Sequence, residues 1–427
     1  MLDINDILPG NGIQGIRKKV GNRMNEKGTH SLATTSNKQQ ASNKPHFWRI
    51  TIVCIITLAV FFSGAYTRPY MADAYHFFRH ALFDANNKNS DYQLYSVSEA
   101  AFIISGFAFM EGNGDEFCRL KPDTNYSTGI DGHKAQTAGG RVRFSTDSQR
   151  IMIKSNLDNR TVVPWSSLYG SLGFDIYVQN NSGEHFIATV APDNENDYFV
   201  DCVIDLKWEG AKDVIIALPQ YAGIKGLQIG VEKTAMVTAP MFHYDIENPI
   251  VFYGSSITQG SSASRSGKSF AWLVAEHFNA DYLNFGFSGA AKGEKEIASL
   301  IADVDMSAFV MEYDHNATVE ELRATHYEFY KTVRNAHPDI SIVMLSRLSG
   351  GISITDEEYA ERARVIHDTL DKAMGSGDNN VYFINGTELA QGYGNPADLL
   401  TDGKHPNDEG MRLIADAIIG CLNGKIQ

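Results

Sequence analysis

From Asn248 onward the sequence alternates short apolar runs with amphipathic stretches, and no other feature restricts the fold so tightly. PIVFYGSS leads into SFAWLVAEHF, DYLNFGFSG into EKEIASLI, AFVMEYDHN into TVEELRATHYEFYKTVRNA, and ISIVMLSR into TDEEYAERARVIHDTLDKA; VYFINGT and NDEGMRLIADAIIGCL follow. Adjacent parallel strands cannot be joined by a tight turn and need crossovers, usually helical. The pattern therefore predicts a three-layer α/β domain over 246–427, a parallel sheet with helices on both faces. Ligands of such sheets bind beyond the C-terminal strand ends.

Residues 92–245 read differently. GGRVRFSTDS, QRIMIKSNL, LGFDIYVQN, YFVDCVIDL, DVIIALPQY and LQIGVEK are short runs separated by Gly, Asn and Asp, the pattern of an all-β, jelly-roll-like sandwich. Upstream, 1–49 is polar and without an apolar period, and 67–91 reads as a linker. Between them Ile50 to Tyr66 carries no charge, at the short end of the roughly 17–25 residues that span a bilayer. Arg17, Lys18, Lys19, Arg23, Lys27, Lys38, Lys44 and Arg49 all precede it, so the positive-inside rule predicts one N-terminal membrane helix with the bulk of the chain outside the cytoplasm. The competing reading, a signal peptide cleaved near Ser63-Gly64-Ala65, has to accommodate a charged leader much longer than such signals carry.

A formal net charge of -14 opposes a nucleic-acid partner, which would need basic surface against its phosphates. Cys54, Cys118, Cys202 and Cys421 form no CxxC or Cys/His pattern, so no zinc site is indicated; a Cys118–Cys202 disulfide is left open by the compartment.

The chemistry concentrates at predicted strand ends. Ser256, in Gly254-Ser-Ser-Ile-Thr-Gln-Gly260, follows the first strand of the parallel sheet. A serine hydroxyl becomes a useful nucleophile beside a base, a group that orients the base, and donors for the developing oxyanion. Asp402-Gly-Lys-His405-Pro lets one short loop bring a carboxylate beside an imidazole, with His405 as base and Asp402 as its orienting acid. Gly289, ending NFGFSG, offers a backbone N–H; Asn316, ending EYDHN, offers an amide. Each motif alone is common in turns and caps. All four together, in order and at strand ends, point to one acyl-transfer site.

The blocks GSSITQG, NFGFSG, EYDHN and DGKHP resemble the four blocks of the SGNH (GDSL-like) hydrolases over nearly all of 248–424. The resemblance implies catalytic roles for Ser256, Gly289, Asn316 and His405, with Asp402 as the triad acid and with no metal or cofactor. Ser255 stands where the usual motif has Asp, and Tyr313-Asp314-His315 where it has Gly before Asn. Gly173-Phe-Asp-Ile-Tyr177 is similar to the Gly-x-Asp-Leu-Tyr signature of the β domain that precedes this catalytic domain in a subgroup of bacterial esterases. Such relatives act on short acyl esters, commonly acetyl groups on carbohydrates, so the expected substrate is a small acyl ester or an acetylated glycan. The same residues could pass the acyl group to a sugar as a polysaccharide O-acyltransferase, and a surface glycan-binding protein without activity is a third alternative.

Other candidates are less specific. Arg265, Lys268 and Lys292 could meet a polar substrate or be solvated loop charges. Trp165 and Trp208 could stack on sugar or belong to the core. His315 competes as a base but lacks a carboxylate at the triad spacing. His76 and His80, four apart, lack a third metal ligand. Oligomeric state leaves no mark in the sequence.

Overall fold

The computed structural model describes residues 91–110, 117–348 and 355–426. The expected membrane helix at 50–66, the tail before it and the His76/His80 pair lie outside the described residues. Among the described residues no helix is long and apolar enough to cross a membrane.

The N-terminal domain is built from β1 (Tyr92–Ser96), β2 (Ile103–Ser105), β3 (Arg141–Thr146), β4 (Arg150–Asp158), β5 (Phe174–Asn180), β6 (Gly183–Val190), β7 (Phe199–Asp205), β8 (Lys212–Ala217), β9 (Gly223–Glu232) and β10 (Val237–Thr238). They form two antiparallel sheets, ordered β1-β9-β4-β7 and β10-β3-β8-β5-β6, with β2 added on β3. Alternate residues such as Ile151 and Ile153 of β4 and Val142 and Phe144 of β3 meet in one core between the sheets.

The C-terminal domain has a five-stranded parallel sheet, ordered β12-β11-β13-β14-β15, made of β11 (Ile246–Gly254), β12 (Ala280–Gly286), β13 (Ala308–Glu312), β14 (Ser341–Leu345) and β15 (Val381–Ile384). Its strands are apolar on both faces, as a covered parallel sheet requires. Ile250 and Phe252 pack with helices Phe270–His277 and Asp408–Leu422. Val251 and Tyr253 face the other way, onto Lys295–Ala302, Val319–Ala336 and Asp356–Gly375. The chain runs from β11 outward to β12 on one side and then to β13 on the other, so the strand order reverses at the end of β11. That crevice is where open α/β sheets hold their ligands, and Gly254 there is level in register with Gly286 of β12 and Glu312 of β13.

The two domains share buried contacts, and the GFDIY segment makes one of them. Asp175 on β5, fully buried, accepts from the Gly267 N–H at 2.8 Å and the Thr189 hydroxyl at 2.7 Å, with Arg265 Nε at 3.7 Å. Tyr177 stacks on Trp272 of the catalytic domain with 4.9 Å between ring centres. A Cβ on Gly267 would sit 1.7 Å from the Tyr177 oxygen, and the ring behind that oxygen is packed. Gly267→Ala is expected to cost about 1–3 kcal/mol as an overpacking substitution, seen as a lowered Tm in thermal unfolding. Cys118 and Cys202 are not joined to each other, so the disulfide left open by the sequence is not formed.

Candidate active site

The turn after β11 is tightly determined. Gly254 passes so close to β13 that an added Cβ would lie 2.0 Å from the Glu312 carbonyl oxygen. Ser255 then caps the short helix Ser256–Gln259: its Oγ accepts from the Ile257 N–H at 3.1 Å and donates to Glu312, 3.1 Å from Oε1 and 2.9 Å from Oε2. Thr258 Oγ1 donates to the same carboxyl at 2.8 Å. The buried Glu312 thus anchors both ends of the Ser256 turn, and burial together with neighbouring Asp314 pushes its carboxyl up to about 8, against the pull of those donors. In this chain Ser255 takes a hydrogen-bonded capping role where the usual motif has Asp.

The base arrives on a narrow hairpin. Leu400 bridges Pro406, the Thr401 N–H donates to the His405 carbonyl at 2.8 Å, and Gly403 turns the chain at φ +76°, a left-handed conformation that glycine adopts freely. Asp402 Oδ1 collects the N–H groups of Lys404 (3.0 Å) and His405 (2.8 Å), which leaves Oδ2 to meet His405 Nδ1 at 2.9 Å. The other ring nitrogen, Nε2, lies 3.0 Å from Ser256 Oγ. The structure therefore brings Ser256, His405 and Asp402 into one relay. His405 lies below its ordinary range because burial penalises the imidazolium, with Asp402 opposing and Lys404 and Arg347 reinforcing the shift. Burial would raise Asp402, but the hydrogen bonds from His405 and Lys404 outweigh it and hold the carboxyl ionised. The resting site is thus a neutral imidazole between a hydroxyl and a carboxylate, the protonation that general-base catalysis needs.

Gly289 and Asn316 occupy the loops after β12 and β13, the strands flanking β11. Gly289 is solvent-exposed at φ +69°, and among the described residues neither its N–H nor that of Ser256 has an acceptor. Asn316 Nδ2 donates to the Phe287 carbonyl at 3.1 Å, tying the two loops together. Its loop is clamped from outside: Arg347 Nη2 donates to the Asp314 carbonyl at 3.0 Å, and Arg362 reaches that carbonyl and Ala317's at 2.6 Å. Gln259 connects the nucleophile turn to both neighbours, accepting the Ser288 N–H at 3.0 Å and donating to Gln136 (2.6 Å) and to the Gln220 carbonyl (3.0 Å) of the sandwich.

The Ser256 hydroxyl bonds to His405 and not to His315, which is buried, held far below its ordinary range mainly by burial, and directed toward Glu312 at 3.9 Å. Donor atoms of Glu312, Asp314 and His315 lie within 4.8 Å of one another, close enough to share a cation. The charge around them opposes one: Asp314 already faces Arg347 Nε at 3.7 Å, and Arg347, Lys404 and Arg362 all act on His315. Arg265 lies over the Phe186 ring at 3.8 Å beside Asp175, Lys292 pairs with Glu321 at 3.0 Å, and Lys268 is half-buried in the turn Ser266–Lys268. Trp208 is 37% exposed and stacks on His185. Trp165 belongs neither to the sandwich core nor to an isolated platform: its indole is parallel to the His405 imidazole, 4.7 Å between centres at 7°. Glu312, Arg347, Arg362 and Trp165 are site residues that sequence reasoning does not single out in these roles.

Both domains match known families. Residues 247–423 match the model of the GDSL-like lipase/acylhydrolase family, and 92–237 match the model of the N-terminus of SGNH-hydrolase-type esterases. The solved structure of a protein described as a GDSL-like lipase from Bacteroides ovatus is 26% identical, with a TM-score of 0.70 over 79% of this chain and 99% of the other. The salicylyl-acyltransferase SsfX3 of a tetracycline biosynthetic pathway shares the fold at 17% identity and TM-score 0.62, over 79% of this chain and 99% of its own. An acetyl xylan esterase, Est2A, from the rumen bacterium Butyrivibrio proteoclasticus shares it at 12% identity and TM-score 0.51, over 78% and 98%. None of the curated proteins compared matches the chain.

Proposed function

Because residues 247–423 belong to the GDSL-like lipase/acylhydrolase family, with the matching SGNH-type domain in front of them, we propose that this chain is a serine esterase removing short acyl groups, acetyl foremost, from a carbohydrate. The observation that carries the reading is the relay Ser256 Oγ to His405 Nε2 at 3.0 Å and His405 Nδ1 to Asp402 Oδ2 at 2.9 Å.

In this mechanism Ser256 Oγ attacks the acyl carbon while His405 takes its proton. The oxyanion is held by the N–H groups of Ser256 and Gly289 and the amide of Asn316, and collapse expels the sugar hydroxyl, reprotonated by His405. Water activated by His405 then releases the acid and frees Ser256. Asp402 keeps the ring in the Nδ1–H tautomer and stabilises the imidazolium. The likeness to a salicylyl-acyltransferase supports a second reading, in which a sugar hydroxyl replaces water in the last step. Partitioning of the acyl-enzyme decides between them: with acetylated xylan as donor and free oligosaccharide added, the esterase yields acetate and the transferase yields newly acetylated acceptor. Acetate release from neither the polymer nor p-nitrophenyl acetate would remove both.

The reading includes an extracytoplasmic catalytic domain on the apolar segment Ile50–Tyr66, supported by the cations before it. Protease added to intact cells should degrade the domain; protection would argue against this orientation.

The pH dependence follows from the base. His405 must be neutral to accept the proton, and Asp402, Lys404 and Arg347 are the charged groups acting on it, with a net depression below 6.5. Activity should be full above that depressed value and fall as pH drops through it, so the acid limb of kcat/KM is expected to turn below 6.5, measured on p-nitrophenyl acetate.

A further inference from the structure

We infer that Trp165, carried by the N-terminal sandwich domain, is a positioning residue of the esterase site: its indole face fixes the plane of the His405 ring and stabilises that ring when it becomes an imidazolium. The inference rests on the reading of His405 as the base.

Three observations support it. The first is the stack itself, which sets the indole parallel to the imidazole with 4.7 Å between ring centres at 7°. A second is how firmly the indole is held. Trp165 Nε1 donates to Ser261 Oγ at 2.7 Å, Ser262 Oγ donates to the Trp165 carbonyl at 2.8 Å, and the Ser262 N–H donates to Ser166 Oγ at 2.8 Å. Ser261 and Ser262 directly follow the nucleophile helix and its capping Gly260, so the loop holding Trp165 is anchored to the loop that carries Ser256. Ser262 is held at φ +69°, where a residue other than glycine is uncommon, and both its bonds run to the Trp165 loop. The third is the ring's orientation. Asp402 and Ser256 hold the two nitrogens at its edge, and the indole covers a face, the one direction from which those partners cannot restrain it.

An aromatic face attracts a cation above it and does much less for a neutral ring. His405 is neutral in the resting site and becomes cationic as Ser256 attacks, so the interaction strengthens in the transition state and acts on kcat. Restricting the ring to the plane that aims Nε2 at Ser256 Oγ adds to the same parameter. The catalytic domain supplies the reacting atoms, and the sandwich supplies part of their restraint.

The test uses the full-length chain with Trp165→Phe, Trp165→Leu and Trp165→Ala, assayed on p-nitrophenyl acetate, with Tm measured for each. Leu and Ala are expected to lower kcat by about 10- to 100-fold with KM within about twofold, whereas Phe, which keeps an aromatic face, stays within about threefold of wild type. A second readout does not depend on turnover. Protonated imidazole quenches a stacked indole, so wild-type tryptophan emission should show a pH transition that vanishes in both Trp165→Phe and His405→Gln; the Trp208–His185 stack, common to all three proteins, cancels in the differences. Wild-type kcat in folded Trp165→Leu, or an equal loss in Trp165→Phe and Trp165→Leu, would overturn the proposal, as would identical emission transitions in wild type and His405→Gln. Ser256→Ala, run alongside, separates two failures. If it too is unimpaired, the serine-esterase reading fails; if it is inactive while Trp165→Leu is fully active, only the role of Trp165 fails.

Discussion

Ser256→Ala should reduce kcat for ester hydrolysis by about 10⁴- to 10⁶-fold, because the hydroxyl that His405 activates is the one removed. The substitution removes one oxygen, which bonds to His405, and leaves the Ser255 cap, its bonds to Glu312 and the Thr258 bond intact. Tm should therefore change little. The residual rate would come from the remaining oxyanion donors acting on direct attack by water. Steady-state kinetics on p-nitrophenyl acetate, with thermal unfolding as the control, reads both quantities. A loss under tenfold in folded protein would mean that Ser256 is not the nucleophile.

Asp402→Asn is expected to cost about 10³- to 10⁴-fold in kcat. The Asp402 carboxylate accepts three hydrogen bonds, two of them from the backbone of its own hairpin. An asparagine oxygen can keep the backbone pair, so the loop should survive. Its NH₂ would then face His405 Nδ1 and favour the tautomer with the proton on Nε2, which cannot accept from Ser256. Burial depresses His405, and losing the Asp402 charge also removes the attraction that opposes it. The acid limb of kcat/KM should accordingly move to lower pH in the variant while the plateau falls. A plateau within tenfold of wild type would show that the acid is supplied elsewhere.

Much of this was legible in the residues because each feature is local. The catalytic strands are continuous apolar runs, and their helices carry caps and amphipathic faces; Thr318 with Glu321 forms a capping box. The triad acid and base lie three residues apart on one hairpin, so their pairing needs no tertiary information. In the sandwich, β6 escaped because it lies at a sheet edge and is only half-buried, which blurs the alternation. Two-residue β10 carries too little pattern to detect.

Features that depend on distant segments meeting were not legible. Glu312 sits in the EYDHN block beside Asn316, but its bonds to Ser255 and Thr258 exist only because β13 lies next to β11. Arg347 and Arg362 reach the Asn316 loop from the end of β14 and from Asp356–Gly375, and nothing in their spacing indicates it. Trp165 is separated from His405 by most of the sandwich and most of the catalytic domain. Tryptophan in a β domain is far more often core than catalytic support, so only docking of the two domains reveals the stack.

Activation of Ser256 by His405 and Asp402 can be read with a fluorophosphonate probe on the full-length chain, the adduct being located by mass spectrometry of the digested protein. Wild type should carry one adduct, on Ser256, with labelling slowed by orders of magnitude in His405→Ala and absent in Ser256→Ala. Equal labelling of wild type and His405→Ala, or an adduct on another residue, would mean that His405 does not activate Ser256 as nucleophile.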